Sequence, residues 1–369
     1  MNGQGSFGAW IRRGRVTAVL RERPGFQELA VTVEVADGDG VGGEGRAWAF
    51  PPLLGGRLEP GQAVWLNVTA VRLGLGSGGR HLVVSTDPPR LQQGPPAGHI
   101  VKLRYTPWQQ AVLACEEEAG PAHHLLRDPA ATLAGMPVVA GELHSQLLPV
   151  LLGARRAGAR RIAYVMTDGG ALPAALSETA AELRRMGWLE AVITAGHAFG
   201  GDLEAVALPS ALLAARWAVG AELAVVLMGP GIVGTGTAFG FTGVEQAWAL
   251  QVAAALGGVP VAALRVGQGD PRPRHRGLSH HSRTVLGRLV PGPVWVALPR
   301  PSPLEPPPEL LRRHAWVEVG VAELDAALEA SPLPLRSMGR GVDQERPLFR
   351  FAAAAGFLGG WLAAFSGAA

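Results

Sequence analysis

Six short and nearly continuous apolar runs recur in this chain from residue 136 onward. They are 136–140, 161–166, 191–194, 223–228, 259–264 and 294–298. The segments between them include four with helical periodicity, at 147–157, 174–186, 209–217 and 244–256. Strands that are apolar on both faces and alternate with helices are typical of a parallel sheet that helices cover on both sides. The pattern therefore predicts an α/β domain with a Rossmann-like, mostly parallel sheet and helices on both faces.

The N-terminal part of the chain follows a different pattern. Short alternating segments at 15–20, 29–35, 47–50, 63–73 and 81–86 are separated by Gly, Pro and Asp. About five strands at this spacing predict a small, OB-like β-barrel domain over residues 1–90. Four prolines between residues 87 and 98 mark a boundary, which predicts a Pro-rich linker at 91–98 and the α/β domain at 99–369.

The barrel gives little indication of nucleic-acid binding. OB-like barrels often bind oligonucleotides, but residues 1–90 hold ten arginines against eight acidic residues and no basic stripe with interleaved aromatics. A net charge of +3 over the whole chain is also too balanced to indicate a polyanionic partner. We therefore expect a packing or dimerising module, a possible homodimer, and no nucleic-acid partner.

The scarcity of lysine and cysteine excludes several kinds of chemistry. Lys102 is the only lysine and lies in no phosphate-binding or Schiff-base motif. Cys115 is the only cysteine, so the chain has no internal disulfide, thiolate zinc finger or iron–sulfur cluster. This cysteine usage, together with an N-terminus that lacks the apolar run of a signal peptide, predicts a cytoplasmic location. The uncharged segment 351–369 is rich in Ala and Gly, so we expect a buried terminal helix and no membrane span.

Polar residues follow the predicted strands at the edge where parallel sheets bind ligands. Glu142 and His144 come after the first run, Asp168 after the second and His197 after the third. A glycine-rich loop, 229–243, follows the fourth. Because the carboxyl ends of parallel strands converge, we expect these groups to line one crevice.

The glycine loop has two functional interpretations besides a purely structural one. Gly229, Gly231 and Gly234 match the G-x-G-x-x-G spacing of a dinucleotide-binding turn. Pro230 and the late start of the next helix weaken that match, and Arg265 follows the next strand, where an acidic ribose ligand is usual. Arg265 could instead face a 2′-phosphate of NADP. The simpler hypothesis is an anion cradle of backbone N–H groups and hydroxyls, formed by Gly229, Gly231, Gly234, Thr235, Gly236 and Thr237.

A basic segment follows the next strand. Residues 265–288 hold six arginines and three histidines against one aspartate. We expect Arg274 and Arg276 to neutralise an anion, because guanidinium groups pair with phosphate or carboxylate through two hydrogen bonds. His280 and His281 would face opposite sides of an extended backbone, and Ser282 would cap a helix at 283–289. The prediction on which the others depend is that this segment folds over the glycine loop.

General acid–base catalysis is the least demanding chemistry that these residues allow. The candidates are His281 or His197 with Asp168, together with Glu142 and His144. A metal could bind His144, Asp168, His197 and one of His280 or His281, but their spacing matches no known metal motif, and the metal stays undetermined. A triad of Ser145, His281 and Asp168 lacks the usual nucleophile elbow.

Several stretches of the chain resemble a bacterial family known as domain of unknown function 3866. They are GHIVKLRYTPWQ (98–109), GELHS (141–145), MTDGGALP (166–173), MGPGIVGTGTAFGFTGVEQ (228–246), HRGLSHHS (275–282) and MGRG (338–341). The resemblance covers nearly the whole chain. It implies that these stretches belong together, but it implies no activity, cofactor or catalytic residue.

The sequence thus predicts an enzyme that acts on a small anionic metabolite, phosphorylated or nucleotide-like, by hydrolysis or group transfer. Two alternatives remain open at this point. One is an NAD(P)-dependent oxidoreductase, and the other is a non-catalytic protein that senses a ligand or assists assembly.

Overall fold

A computed structural model describes residues 8–35, 42–90, 98–302 and 304–366. The chain divides into two compact units, Met1–Pro95 and Pro96–Ala369. The predicted linker at 91–98 lies, apart from Gly98, outside the described residues.

The first unit is a closed five-stranded barrel, as predicted. Its strands are β1 (Ile11–Arg23), β2 (Phe26–Val33), β3 (Gly43–Ala49), β4 (Ala63–Asn67) and β5 (Arg80–Thr86), with a 3₁₀ turn at Pro51–Leu53 and a short helix α1 at Thr69–Arg72. The strand order is β1-β2-β3-β5-β4, and β4 pairs with β1 to close the barrel. Alternate side chains, among them Leu29, Val31 and Leu66, point inward and form its core.

One predicted strand of the barrel is too long. The sequence predicts a strand over 63–73, but β4 ends at Asn67. The Asn67 side chain accepts a hydrogen bond from the backbone N–H of Thr69 at 3.0 Å, which turns the chain into α1.

The second unit contains a parallel sheet of eight strands, which confirms the predicted α/β architecture. The strands of this unit are β6 (Ile100–Lys102), β7 (Gln110–Val112), β8 (Pro137–Ala140), β9 (Ile162–Thr167), β10 (Ala191–Ala195), β11 (Leu203–Ala205), β12 (Leu223–Met228), β13 (Val259–Ala262), β14 (Val266–Gly267), β15 (Gly277–Leu278), β16 (Trp295–Arg300) and β17 (Ala315–Gly320). The sheet order is β11-β10-β9-β12-β8-β13-β16-β17, and β6–β7 and β14–β15 form separate two-stranded pairs.

Helices cover both faces of the sheet, again as predicted. They are α2 (His123–Leu126), α3 (Leu147–Arg156), α4 (Glu178–Arg185), α5 (Leu208–Trp217), α6 (Glu245–Ala255), α7 (His280–Thr284), α8 (Pro308–Arg313), α9 (Val321–Glu329) and α10 (Val342–Ser366), with 3₁₀ turns at His144–Gln146, Ala174–Leu176, Thr242–Val244 and Pro273–His275 and a π-helical turn at Val285–Leu289. One buried apolar cluster joins the sheet to α3, α4, α9 and α10, and a second joins it to α5, α6 and α8.

Two edge strands and one helix boundary differ from the sequence predictions. The strands β11 and β17 lie at the ends of the sheet and are only partly buried, so they lack the continuous apolar pattern of the inner strands. The helix predicted at 283–289 with a Ser282 cap begins earlier. It starts at His280, and the hydroxyl of Ser279 accepts a hydrogen bond from the N–H of His281.

The helix α10 is long and apolar enough by length and composition to cross a membrane. Within this span, 67% of the most apolar stretch is buried inside the structure. Close packing against α3 accounts for part of this burial, because a Cβ atom at Gly356 would overlap the carbonyl oxygen of Val150.

The connections of β8 and β12 create a crevice at the carboxyl edge of the sheet. These strands are neighbours, but the chain leaves β8 toward α3 on one face and leaves β12 toward α6 on the other. Loops that diverge to opposite faces leave a gap between them, which is where open parallel sheets bind ligands. β13 lies on the other side of β8. The three strand ends therefore bring together the glycine loop, Glu142 and Arg265.

Candidate functional site

A buried glutamate and a buried histidine lie together at this edge of the sheet. Glu142 Oε2 lies 2.7 Å from Nδ1 of His281, and both residues are less than 5% exposed. A carboxylate can only accept, so Nδ1 of His281 donates this hydrogen bond, and in the tautomer with a single N–H the lone pair is on Nε2. The ring stacks on Phe241 with a centroid distance of 3.7 Å and parallel planes, which fixes its orientation. The partner of His281 is thus Glu142, and not Asp168 as the sequence analysis expected.

The glycine loop faces the free nitrogen of His281. The position that a Cβ atom would take at Gly234 lies 3.6 Å from Nε2 of His281. At Gly236, where φ is +84°, the corresponding position lies 3.4 Å from the guanidinium carbon of Arg274. The Arg/His segment therefore packs against the glycine loop, which is the juxtaposition that the sequence predicts.

The threonine hydroxyls of the loop bond within the loop. Thr235 Oγ1 lies 2.9 Å from Thr237 Oγ1 and also donates to the carbonyl oxygen of Gly240 at 3.0 Å. Thr237 Oγ1 accepts from the N–H of Gly240. These bonds hold the loop in shape. The two hydroxyl groups are therefore not directed at a ligand, as the cradle hypothesis proposed.

The first two glycines of the predicted cradle, Gly229 and Gly231, have different surroundings. Gly229 lies against the side chain of Met166, where a Cβ atom would overlap it. Gly231 has a φ of +113° and no atom within 4 Å of its Cβ position. Gly231 is therefore on the open side of the loop, and Gly229 is part of the packing beneath it.

Two further histidine rings, those of His275 and His280, lie beside the Glu142–His281 pair. His275 lies 4.9 Å from His281 and 5.0 Å from His280 between ring centroids, and His280 lies 4.3 Å from His281. The two adjacent histidines do not face opposite sides, because α7 is helical and not extended. Burial, followed by the charge of Arg265, lowers the pKa of His275 to about 3. Burial also lowers the pKa of His280. Both rings are therefore neutral near pH 7.

An aspartate organises the arginines around the histidines. The Asp270 carboxylate accepts hydrogen bonds from Arg272 at 2.9 Å and from Arg265 and Arg340 at 3.4 Å. The hydrogen bond from Arg272 is the main reason that the pKa of Asp270 is lowered. Arg276 donates to the backbone carbonyl of Asp270 at 3.0 Å.

The two arginines that were expected to neutralise an anion are both exposed. The guanidinium group of Arg274 faces the glycine loop, whereas that of Arg276 is held by the Asp270 backbone. Arg274 is therefore the better placed of the two to meet a ligand at the loop.

The remaining predicted residues form hydrogen bonds with groups other than Glu142 and His281. His144 uses both ring nitrogens, with Ser177 Oγ at 2.7 Å and the Tyr164 hydroxyl at 3.3 Å. The Nδ1 of His197 accepts from the N–H of Leu103 at 3.0 Å, and Asp168 accepts from the N–H of His197 at 3.2 Å. The proposed metal set of His144, Asp168, His197 and one of His280 or His281 is thus not gathered among the described residues.

The Ser145–His281–Asp168 triad is not formed. The hydroxyl of Ser145 lies 2.9 Å from that of Ser337. Asp168 lines a different cavity of about 210 Å³ together with Thr167, Glu245 and Trp248. Thr167 donates to Glu245 at 2.7 Å, and burial raises the pKa of Glu245, with the charge of Asp168 adding to the effect. This cavity is a second polar feature of the same sheet edge.

Sequence reasoning missed the parts played by His275, Phe241 and Asp270. The available signal was the histidine density of the 275–281 stretch, where three of seven residues are histidine. Their spacing matches no regular element, because His275 ends a 3₁₀ turn and a short strand separates it from the helix that begins with the other two.

Comparisons with known proteins yield a family match that carries no activity. The model of a family described as "Protein of unknown function (DUF3866)" matches residues 46–356 of the 369. No curated protein and no solved structure matches the chain.

Proposed function

The chain belongs to the DUF3866 family of proteins of unknown function, and from its site we propose that it is an enzyme that acts on a small anionic metabolite by hydrolysis or group transfer. The observation that carries the proposal is the buried Glu142–His281 pair, whose free nitrogen faces the glycine loop. A histidine that a buried carboxylate orients is a common general base, because the carboxylate fixes the tautomer and stabilises the imidazolium that forms.

The charge around this pair favours an anionic substrate. Arg274 is exposed and lies against Gly236, so its guanidinium group can pair with a phosphate or carboxylate bound at the loop. The open backbone at Gly231 lets such a group approach closely. In this arrangement the Nε2 of His281 takes a proton from the attacking water or hydroxyl as its oxygen bonds to the reacting atom of the substrate, and Glu142 stabilises the resulting imidazolium. The imidazolium then gives the proton to the leaving group as its bond to that atom breaks.

The structure gives less support to an NAD(P)-dependent oxidoreductase. A dinucleotide-binding turn leads directly into a helix whose N-terminus faces the pyrophosphate. Here the next helical turn begins only at Thr242, after the whole glycine loop. Arg265, which could have faced a 2′-phosphate, is 3% exposed and is paired with Asp270.

A screen of ligands followed by two substitutions tests the proposal. Thermal stabilisation is measured with nucleotides, sugar phosphates and small carboxylates, and the stabilising compounds are then assayed for turnover. We expect Arg274→Ala to weaken binding about 10- to 100-fold, since a charge-assisted hydrogen-bond pair is lost. We expect Glu142→Gln to keep binding but to lower kcat about 10²- to 10⁴-fold.

Arg312→Ala is the matched control, because Arg312 is an exposed arginine on α8 outside the site. It should leave both binding and kcat unchanged. If ligands stabilise the protein and Arg274→Ala abolishes that effect, but no compound turns over, the protein is a ligand sensor and the catalytic proposal is wrong.

A further inference from the structure

The three histidines beside the glycine loop form a cluster that the proposed acid–base chemistry does not use in full. One ring nitrogen from each of His275, His280 and His281 lies within 4.8 Å of the other two. Acid–base catalysis needs only one of these rings. Of the other two, His275 is buried and His280 is partly buried with a buried Nε2, at a site where each unpaired polar atom is costly.

The hydrogen bonds leave the same nitrogen free on each ring. Nδ1 of His281 is bound to Glu142, and Nδ1 of His275 is bound to the hydroxyl of Ser279 at 2.8 Å. Nε2 of His280 is buried and has no hydrogen-bond partner among the described residues. Each ring thus leaves Nε2 without a hydrogen bond among the described residues, and one nitrogen of each ring lies within 4.8 Å of one nitrogen on each of the other two.

The surroundings resemble those of a metal-binding site. Histidines that bind metal usually donate their second nitrogen to a carboxylate, a carbonyl or a similar oxygen, which fixes the ring and the tautomer. The carboxylate of Glu142 can do this for His281, and the hydroxyl of Ser279, which lies 2.8 Å from Nδ1 of His275, can do it for His275. Arg265 and Arg274 add positive charge nearby, and the carboxylates of Glu142 and Asp270 offset it.

We propose that Nε2 of His275, His280 and His281 bind one divalent transition-metal ion of the zinc type. A tetrahedral zinc ion with bonds of about 2.1 Å separates its ligand nitrogens by about 3.4 Å. Side-chain rotations that move the nitrogens by roughly 1 Å would therefore close the present cluster around the ion. Three protein ligands leave a fourth position for water or substrate, and Gly234 beside His281 leaves that position open on the loop side.

This inference rests on the same site as the proposed enzyme but not on its activity. A metal ion on Nε2 of His281 would occupy the lone pair that accepts a proton in the metal-free site. Glu142 would then orient a ligand, and the ion would take over the activation of water. Metal binding and substrate turnover can therefore be measured, and can fail, separately.

The test uses the full chain after dialysis against a chelator. Zn²⁺ is titrated by calorimetry, the bound metal is counted by elemental analysis, and Co²⁺ is used as a spectroscopic probe. We expect one ion per chain and a Co²⁺ visible absorption band of four-coordinate type. His280→Asn and His275→Asn should each weaken Zn²⁺ binding by at least about 100-fold, and Ser279→Ala should weaken it about 10-fold or more.

His124→Asn is the matched control, because His124 is an exposed histidine outside the cluster. It should bind Zn²⁺ as the unaltered chain does. Circular dichroism identifies any variant that fails to fold, and the partly exposed His280 is the position least prone to this. Stoichiometric Zn²⁺ binding that survives both His280→Asn and His275→Asn, or no binding at all, would overturn the inference. Zn²⁺ binding by a chain that turns over none of the screened compounds would instead overturn the proposed function alone.

Discussion

At the scale of single residues, the site depends on groups held in one protonation state. Buried histidines far from any carboxylate stay neutral, because charging them would require desolvating an imidazolium. The partner of His281 is a buried carboxylate, whereas the partners of His144 are two hydroxyls. The same residue type thus has the proposed acid–base role in one place and a packing role in the other.

The pH dependence of stability should reveal the structural role of His144. Burial lowers its pKa to about 4 from 6.5. Between these values the unfolded chain binds the proton more readily than the folded one, so the free energy of unfolding falls as the pH decreases from about 6.5 to about 4. His144→Gln keeps a hydrogen-bonding side chain without a titrating group. Between pH 6.5 and pH 4, we expect the free energy of unfolding of this variant to fall by up to about 3 kcal/mol less than that of the unaltered chain.

Urea unfolding at pH 4.5 and at pH 7.5 measures this difference. His124→Gln replaces an exposed histidine and should behave as the unaltered chain does. If the free energy of unfolding of His144→Gln falls with decreasing pH as much as that of the unaltered chain does, His144 is not the cause of the pH dependence.

Access to the free nitrogen of His281 depends on the absence of a side chain at Gly234. A Cβ atom there would make ordinary contact with Phe241 and His281, so Gly234→Val should fold normally but cover Nε2. We expect the Tm to change by less than about 3 °C and the turnover to fall by at least about tenfold. Gly292→Val is the control, because its Cβ position has no atom within 4 Å. An unchanged turnover in Gly234→Val would show that substrate does not approach from the loop.

At the scale of elements, the inner sheet could be predicted and the edges could not. The run 223–228 became β12 with the same bounds, because a strand buried on both faces has few polar interruptions. The edge strands β11 and β17 carry residues that a loop could also carry. The rule that ligands bind at strand carboxyl ends drew attention to Glu142, which the structure places beside His281. It could not pair Glu142 with His281, which lies 139 residues away, because that contact depends on the order of β12, β8 and β13.

The packing of α3 against α10 gives a prediction at this scale. An alanine is usually better than a glycine inside a helix by about 1 kcal/mol. At Gly356, however, the added Cβ atom would overlap the carbonyl oxygen of Val150, and the helices would have to separate. We expect Gly356→Ala to lower the free energy of unfolding by about 2 to 3 kcal/mol.

Chemical denaturation of Gly356→Ala and Gly287→Ala tests this prediction. Gly287 also lies in a helical segment, but the nearest atom to its Cβ position is a flexible leucine side-chain atom at 3.7 Å. The control should change stability by less than about 1 kcal/mol. Equal effects at both positions would mean that backbone propensity, and not the helix contact, decides the result.

At the scale of the whole molecule, the two units have separate cores. The barrel core, which includes Val16 and Leu66, forms its own apolar cluster, and the sheet unit has two others. A role of the barrel in packing or dimerisation and a cytoplasmic location both stay predictions. The barrel lies in Met1–Pro95, whereas every group of the candidate site lies in Pro96–Ala369.

This division predicts that a fragment beginning at Gly98 keeps the chemistry of the site. The contacts that hold Glu142, His281 and Arg274 all come from the second unit, so removal of the barrel deletes none of them. We expect the fragment to unfold cooperatively and to bind Zn²⁺ and phosphate probes with a Kd within about threefold of that of the full chain. Calorimetry on both proteins, with light scattering to record their oligomeric states, provides the comparison. A folded fragment that binds more than tenfold weaker would mean that the barrel contributes to the site, and the catalytic proposal would then have to include it.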